Sequence, residues 1–420
     1  MNRDNYIERG SRDYQRANLA LFIAGFVSFS TLYAFQPLFP LLVEEFSVAP
    51  ATASLSLSVA TFALAWMLPI SGSISDSTGR KKLMGLALVL TSLLSLACAA
   101  STVLPSLLLV RLLQGIVLAG VPAVAMAYLN DEMSARAIGP AMGLYIAGNA
   151  CGGMTGRILT VLLADLFPWR TAVALLGVLA VLLSLLFWWL LPPSRHFQSQ
   201  PFQLKPLSLS LINHLREPGL LSLFTLAFLF MGGFVTVYNY ATFYLLAPPY
   251  NLSPSQVALI FFAYAFGAAG SSLMGGLTQR MGRPLLLGIA LAIMAAGILM
   301  TLYATLPAII GGIVLFTIGF FGAHALASAW VGVRTPVARA QASSLYLLAY
   351  YLGSSISGTG GGYVWSFWGW PGVVGLVVIL LALATGVTLF LTRLEGRTRQ
   401  VETDQQLSSE NLRARSLSIR

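Results

Sequence analysis

Two arginines and one histidine lie inside long apolar stretches, where charged side chains are rare. Arg111 stands in "LLLVRLLQG" and Arg157 in "GGMTGRILTVLL", and no acidic residue lies within four positions of Arg157. A guanidinium in such surroundings must find backbone carbonyls, water or a ligand, and its fork of donors suits a carboxylate. His324, in "FFGAHALAS", can carry a proton because an ordinary histidine titrates between about pH 5 and 8. These residues predict a site for an anionic or strongly hydrogen-bonding solute.

The elements that hold these residues follow from composition. The chain has 420 residues, of which 57% are hydrophobic and only 9% charged, with mean hydropathy +0.80. Soluble domains carry roughly 25% charged residues. Twelve apolar segments each approach or exceed the roughly 20 residues that cross a bilayer, where only helices satisfy the backbone of such segments. We therefore predict an all-α integral membrane protein with twelve transmembrane helices: 17–41, 52–72, 83–101, 104–129, 139–164, 171–191, 218–246, 254–276, 284–303, 306–332, 340–364 and 372–392.

The basic residues predict the orientation. Of the 24 lysines and arginines, only Arg111, Arg157 and Arg170 lie outside the tails and loops that twelve spans place on one face. The positive-inside rule therefore predicts that both termini are cytoplasmic. The net charge of +10 then reflects topology and anionic lipid headgroups, and it requires no nucleic-acid partner.

The chain repeats itself once. The loop "GSISDSTGR" (72–80) follows helix 2 and "GGLTQRMGR" (275–283) follows helix 8, and the matched residues are Gly72, Gly79, Arg80, Gly275, Gly282 and Arg283. A parallel repeat of two six-helix halves is an architecture of secondary transporters. The predicted organisation is an N-terminal cytoplasmic tail, a six-helix half, a central cytoplasmic loop, a second half and a C-terminal tail: 1–16, 17–191, 192–217, 218–392 and 393–420.

These motifs resemble those of the major facilitator superfamily. "GSISDSTGRKKL" looks like its loop between helices 2 and 3, and "RLLQG" resembles its helix-4 motif. The motif order and "YAFQPLFP" in helix 1 are most similar to the bacterial YnfM-type inner-membrane transporters, near the sugar-efflux and drug-efflux permeases. The resemblance implies a monomeric, multi-pass transporter in the bacterial inner membrane. It further implies a small-molecule substrate, protons and the lipid bilayer as partners, and no cofactor.

The repeated loop is a candidate gate. Gly72 is expected to let helix 2 approach a neighbour closely, and Gly79 to permit the tight turn of the hairpin. The resemblance implies that Asp76 meets the positive N-terminus of helix 11 and latches the cytoplasmic side shut while the cavity faces outward. Because Gln279 replaces this acid in the second copy, the latch is expected on one side only. The alternative for Arg80 is topology alone.

The two helix arginines are expected at one depth, roughly 10 Å below the outer surface. All fourteen acids fall in tails, loops or helix ends, so neither arginine has an acidic partner within the membrane. We expect at least one of them to bind substrate. The alternative is that both snorkel to the interface. For His324 the alternative to proton coupling is a hydrogen-bonded structural histidine.

Two glycine runs occupy corresponding places, "GNACGGMTG" in helix 5 and "GSSISGTGGG" in helix 11. The glycines at 148, 152 and 156 recur every fourth residue and predict a close-packing face. Helix 5 lacks the proline that the drug-antiporter motif carries within its glycine run. In the family, helices 1, 4, 7 and 10 face the cavity, and their polar or aromatic residues here are Tyr33, Gln36, Gln114, Tyr238, Asn239 and His324.

We therefore expect a secondary active transporter that works by alternating access and exports a small polar or anionic organic solute or drug, coupled to protons as an antiporter. The alternatives are uptake or uncoupled facilitation of a small organic anion or sugar, and a membrane sensor that moves no solute. No nucleophile–base set or metal-ligand cluster favours an enzyme. Cys98 and Cys151 fall within helices and favour apolar packing over a disulfide or metal site. The C-terminal tail is expected to be disordered or to form a short surface helix.

Overall fold

A computed structural model of the chain describes residues 6–199, 211–278, 280–335 and 339–417. Within these ranges, the regular elements are helices, and eleven of them are long and apolar enough to cross a membrane. Gln279 and parts of the predicted central loop and tails lie outside the described residues. The first ten spans are α1 Arg12–Phe46, α2 Pro50–Thr78, α3 Arg80–Ala99, α4 Leu104–Glu132, α5 Ile138–Leu166, α6 Trp169–Leu190, α7 Pro218–Leu246, α8 Pro254–Leu277, α9 Arg283–Met300 and α10 Leu306–Arg334.

The last helical run, Gln341–Gly396, is long enough for two spans. It breaks at Gly369, where φ is +58° and ψ is −148°, two residues before Pro371. We call its two parts α11 and α12, which completes the twelve predicted spans. The sequence predicted a connection over 365–371, but the helix continues through 368. Because glycine adopts positive φ without strain, one residue suffices for the break. The helix also continues to Leu417, so the backbone there is neither disordered nor a short helix.

Two spans, α1 and α8, contain 3-10 turns that apolar run length alone did not predict. In α1, the α-helix stops at Tyr33, a 3-10 turn covers Gln36–Leu38, and a second α-helix starts at Phe39. The 3-10 turn includes Pro37, which has no N–H to continue the helical ladder. In α8, a 3-10 turn occupies Leu259–Phe262. These turns place irregular backbone beside the residues that join the two halves.

The helices pack in the same pairs in both halves. In the N-terminal half, α1 packs against α5, α2 against α4, α3 against α4, and α3 against α6. In the C-terminal half, α7 packs against α11, α8 against α10, α9 against α10, and α9 against α12. Each pair of the second half is the counterpart, six helices later, of a pair in the first. The parallel repeat inferred from the two glycine–arginine loops is therefore confirmed in the packing.

The glycine runs bring two helix pairs into backbone contact. A Cβ atom at Gly148 would lie 2.4 Å from the Phe22 carbonyl oxygen, and one at Gly152 would lie 2.3 Å from that of Phe26. In the other half, a Cβ at Gly353 would lie 2.1 Å from the carbonyl oxygen of Phe228. The runs therefore serve α1–α5 and α7–α11, two equivalent pairs, as glycine does where membrane helices pack closely.

This packing predicts a strong difference between two glycines of α5. Gly152→Ala is expected to lower the free energy of unfolding by about 3 kcal/mol, because its methyl group would overlap the backbone of α1. Gly143→Ala is the matched control, since nothing lies within 4 Å of its Cβ position. The control is expected to be neutral or slightly stabilising. Thermal unfolding of the purified variants would measure the difference, and equal melting temperatures would contradict the packing.

The bundle has two ends. We call one of them the terminal face; it carries the start of α1, the α2–α3 loop and the ends of α6 and α10. The face at the other end of these helices is the distal face. Side-chain hydrogen bonds between the halves join α1 to α7, α2 to α11, and α5 to α8, all in the distal part of the bundle. Near the terminal face, the ion pairs of the described residues stay within one half. The halves are therefore closed on each other at the distal face.

Candidate functional site

Arg157 of α5 lies where the two halves meet. Its side chain is 1% exposed. The Nε atom donates to Gln36 Oε1 at 2.6 Å, and Nη1 donates to the Gly153 carbonyl at 2.5 Å. The guanidinium also lies 4.0 Å from the ring centroid of Tyr33 and 5.0 Å from that of Tyr264, on α8. A positive charge is thus held between α1 of one half and α8 of the other, so it does not snorkel to the surface.

A chain of amides continues from Arg157 into the second half. Gln36 accepts from Arg157 through Oε1 and donates through Nε2 to Asn239 Oδ1 at 2.7 Å. Asn239 Nδ2 in turn donates to the Gly358 carbonyl on α11 at 3.5 Å. We call Tyr33, Gln36, Arg157, Asn239 and Tyr264 the distal gate. These residues come from four helices, α1, α5, α7 and α8. Only the tertiary packing of these helices brings the residues together.

A seam of hydroxyl groups between α2 and α11 also joins the halves. Thr61 and Ser355 are hydrogen-bonded at 2.8 Å, and Thr359 donates to the Ser58 hydroxyl at 2.8 Å. Ser355 also donates to the Ser58 carbonyl at 3.0 Å. Neutral hydroxyl pairs of this kind contribute little individually in a membrane, commonly below about 1 kcal/mol. The seam can therefore separate without exposing a charge.

Arg111 of α4 has a different environment, entirely within the N-terminal half. It is 0% exposed, and Nε donates to the Ser56 carbonyl of α2. Its two terminal nitrogens donate to the carbonyls of Thr31 and Leu32 on α1 and to Gln114 Oε1. Four donors thus have protein partners. In this conformation Arg111 neither faces a solute nor snorkels, and its geometry is that of a cross-brace between α1, α2 and α4.

Gln114, one turn along α4, extends this brace. Its Nε2 donates to the Thr91 carbonyl and to the Ser95 hydroxyl of α3, at 3.1 and 2.8 Å. Because the amide is fully buried and bonded within one half, we assign it to the same brace. Tyr238 of α7 is also fully buried, with its hydroxyl 2.8 Å from that of Thr317. These two sequence candidates therefore lie in helix packing.

An aromatic wall runs along the C-terminal half from the distal gate toward the terminal face. The ring of Tyr264 lies 5.5 Å from Phe234, and Phe234 stacks on Phe320 at 3.8 Å. Phe320 in turn stacks on His324 at 6.1 Å, and His324 lies 4.7 Å from the ring of Tyr350. Arg157 and His324, which the sequence singled out separately, therefore stand near opposite ends of one wall.

The structure adds tyrosines of α11 that the sequence reasoning missed. Tyr346 Oη lies 2.9 Å from His324 Nδ1, and Tyr350 packs on the same imidazole. The sequence signal was present in "LYLLAYYLG", because residues four apart in a helix share one face. Periodicity shows that the two tyrosines share a face of α11. It does not show which neighbouring helix that face contacts.

The terminal-face loop has its own ion-pair cluster. Asp76, whose side chain is 45% exposed, pairs with Arg80 at 2.5 Å, and Arg80 also donates to Asp131 at the end of α4 at 3.0 Å. No hydrogen bond or ion pair joins Asp76 to α11 among the described residues. Gly79 has φ +99°, so its glycine is required by the turn as expected. Gly72 does not mediate a close approach, since nothing lies within 4 Å of its Cβ position.

The second copy of the loop is less constrained. Gly275 has nothing within 4 Å of its Cβ position, and Gly282 has an ordinary φ of −60° as the N-cap of α9. Arg283 is the first residue of that helix. The fold therefore requires no glycine backbone at Gly282, in contrast to Gly79, and the two loops differ in conformation despite their matching sequences.

Comparison with known proteins agrees with this architecture. A family model described as the Major Facilitator Superfamily matches residues 21–247 and 229–418. The chain is 44% identical over 388 residues to the MFS-type transporter YybF of Bacillus subtilis (92% of this chain, 96% of YybF). It is 42% identical over 394 residues to the inner membrane transport protein YnfM of Escherichia coli (94% of each chain). A bacterial homologue of the human lysosomal transporter Spinster, solved in an inward-facing, unoccupied conformation, is 17% identical and superposes with TM-score 0.73, covering 91% of this chain and 97% of the other.

Proposed function

The chain belongs to the major facilitator superfamily, and from this premise we propose that it exports a small polar or anionic organic solute or drug by alternating access. The family and its close relatives are membrane transporters and not enzymes. The observation that carries the proposal is Arg157, a charge without an acidic partner that contacts both halves. A solute anion that enters along the aromatic wall can take Arg157 from these contacts and so part the halves at the distal face.

The two states follow from the contacts. With the termini in the cytoplasm, as the basic residues predict, the closed distal face is the periplasmic side and the conformation is inward-facing. In the opposite state Gln36 separates from Asn239 and Tyr264 moves away from Arg157, which exposes the guanidinium to the periplasmic side. Arg157 then changes partners between the distal gate and the solute. A ligand that binds one state more tightly shifts the equilibrium toward that state. Coupling between solute binding and the change of state requires such a difference in affinity.

We further propose that the aromatic wall contributes the apolar part of the substrate site. An aromatic carboxylate would place its ring on Tyr264 or Phe320 and its carboxylate on Arg157, with offset stacking and a forked ionic contact. A sugar would use the amides of the distal gate but leave the charge of Arg157 without a counter-ion. The wall therefore favours an organic anion over a sugar. The site is built within a single chain, which is compatible with the monomer that we propose, and the similarity to an Escherichia coli inner membrane transport protein supports the bacterial inner membrane.

The test of this function is counterflow in proteoliposomes. Vesicles that contain the purified chain and unlabelled benzoate should take up labelled benzoate faster than vesicles without protein. Labelled glucose in the same vesicles is the control for the alternative sugar substrate. A folded protein that moves neither compound nor any small carboxylate in exchange would favour the sensor alternative.

Proton coupling is proposed to use His324. His324→Ala is expected to abolish or shift the pH dependence of transport between about pH 5 and 8, the range in which an ordinary histidine titrates. The measurement is the initial rate of counterflow across that range. Tyr346→Phe, which removes the hydroxyl 2.9 Å from Nδ1, should shift the same profile without abolishing it. An unchanged profile in His324→Ala would assign coupling to Glu44, Glu45 or Asp165, or would favour uncoupled facilitation.

We also propose that Asp76 latches the terminal face in the opposite state, by leaving Arg80 for the N-terminus of α11. Asp76→Asn should keep the protein folded but slow transport about fivefold or more, since couplings between conformational states are commonly of that size. Counterflow rates measure this effect. Asp131→Asn, which also removes a partner of Arg80, is the matched control and should slow transport less. Wild-type rates in Asp76→Asn would exclude the latch.

A further inference from the structure

A cavity of about 270 Å³ lies at the distal face, on the far side of the distal gate from the aromatic wall. Both halves line it. The ends of α1 and α5 form the side that belongs to the N-terminal half. The end of α7 and the start of α8 form the side that belongs to the C-terminal half. Its base includes Phe261, whose ring is 5.4 Å from the Arg157 guanidinium. The ring of Phe261 therefore lies between the cavity and the Arg157 guanidinium, where the proposed substrate anion binds.

Most of the cavity wall is apolar, and two polar groups interrupt it. Thr242 lines the cavity and is 3% exposed, and its buried hydroxyl has no hydrogen-bond partner among the described residues. Glu44 is exposed and contributes a carboxylate to the lining, and no described residue forms an ion pair with it. A buried hydroxyl without a partner is uncommon in a folded protein. Thr242 and Glu44 belong to the same cavity lining, and two polar groups without partners there point to a ligand.

The charges of the distal face favour a cation. The described ionisable acids and bases there are Glu44, Glu45, Asp165 and Arg170. Arg170 is committed to Glu45, with Nη1 donating to Oε1 at 2.6 Å, and Asp165 accepts from Ser255. The carboxylate of Glu44 is therefore the unpaired charge that faces the cavity. An apolar wall with one carboxylate suits a quaternary or protonated amine that carries an apolar group.

We propose that this cavity is a binding site for a small lipophilic cation, distinct from the site of the transported solute. Glu44 holds the positive charge, the Thr242 hydroxyl bonds or orients the ligand, and Leu38, Val257 and Phe261 contact its apolar part. Because both halves line the cavity, an occupant contacts both and stabilises the form that is closed at the distal face. Such a ligand acts as an inhibitor of alternation from the distal side.

The test uses benzyltrimethylammonium as the probe and the full-length protein in lipid nanodiscs, with binding followed by calorimetric titration. We expect saturable binding, and about fivefold weaker binding to Glu44→Gln, since an exposed carboxylate contributes modestly. Glu45→Gln is the matched control and should bind as the wild type does, because Glu45 is paired with Arg170 and does not line the cavity. The uncharged isostere neopentylbenzene should also bind more weakly.

A second variant tests the location. Ala164→Trp places an indole in the cavity and should remove binding, while the folded state is checked by its melting temperature. Equal affinity of Glu44→Gln and wild type would overturn the proposal, as would unchanged binding to a folded Ala164→Trp protein or the lack of saturable binding to wild type. None of these readouts depends on transport, so a failure here is distinguishable from a failure of the proposed function.

Discussion

Arg157→Ala is expected to yield a folded, membrane-inserted protein that no longer moves its substrate. The variant removes the one charge that contacts both halves in the distal gate. Truncating one partner of a desolvated charged contact weakens binding by about 2 kcal/mol or more, which is roughly thirtyfold. Arg157→Lys should fall between wild type and Arg157→Ala, because lysine keeps the charge and loses the fork of donors.

The measurement is the affinity for the exchanged anion together with its counterflow rate. Arg170→Gln is the matched control, since this distal-face arginine pairs with Glu45 outside the distal gate. A folded Arg157→Ala protein with wild-type affinity and rate would assign Arg157 to packing alone. Loss of the folded protein would be visible in gel filtration, and Arg157→Lys then serves as the test.

Arg111→Ala is expected to have its largest effect on stability. Removal of the guanidinium breaks its hydrogen bonds to the Ser56, Thr31 and Leu32 carbonyls in a fully buried position. A hydrogen bond that involves a charged group contributes about 1.5 to 3 kcal/mol, so we expect a total loss of about 3 kcal/mol or more in the free energy of unfolding. Arg111→Lys should restore part of it, because an ammonium can reach some but not all of these acceptors.

Thermal unfolding of the purified protein distinguishes the two arginines. Arg111→Ala should lower the melting temperature far more than Arg157→Ala, whereas loss of substrate affinity at unchanged stability should be specific to Arg157. An Arg111→Ala protein as stable as wild type would contradict the brace. A stable Arg111→Ala protein that fails to bind the anion would return Arg111 to the substrate site.

The fold could be predicted from the sequence because the bilayer leaves few choices. Apolar run length defines the spans, and the two glycine–arginine loops define the repeat. The glycines of α5 also predicted a close contact, since their spacing of four residues presents one face. The sequence did not identify α1 as the partner helix, because spacing describes one helix and not its neighbour. The break at Gly369 was similarly placed within a longer connection, since no polar segment separates α11 from α12.

The candidate site was only partly predictable. Arg111 and Arg157 look alike in sequence, each isolated in an apolar helix, and both reach the same stretch of α1 near residues 31–36. Their difference arises from acceptors that sequence does not reveal. Arg111 faces backbone carbonyls of its own half, and Arg157 faces rings and an amide at the junction. The second partner that we propose for Asp76, the N-terminus of α11, depends in addition on a change of conformation, which sequence does not describe.

The measurement that tests the central claim most directly is counterflow of a labelled aromatic carboxylate by wild type and Arg157→Lys, side by side in proteoliposomes. We expect wild type to exchange the anion and Arg157→Lys, at equal stability, to exchange it with clearly lower affinity. Exchange at wild-type affinity in Arg157→Lys and Arg157→Ala would contradict the claim that this arginine alternates between the distal gate and an anionic substrate.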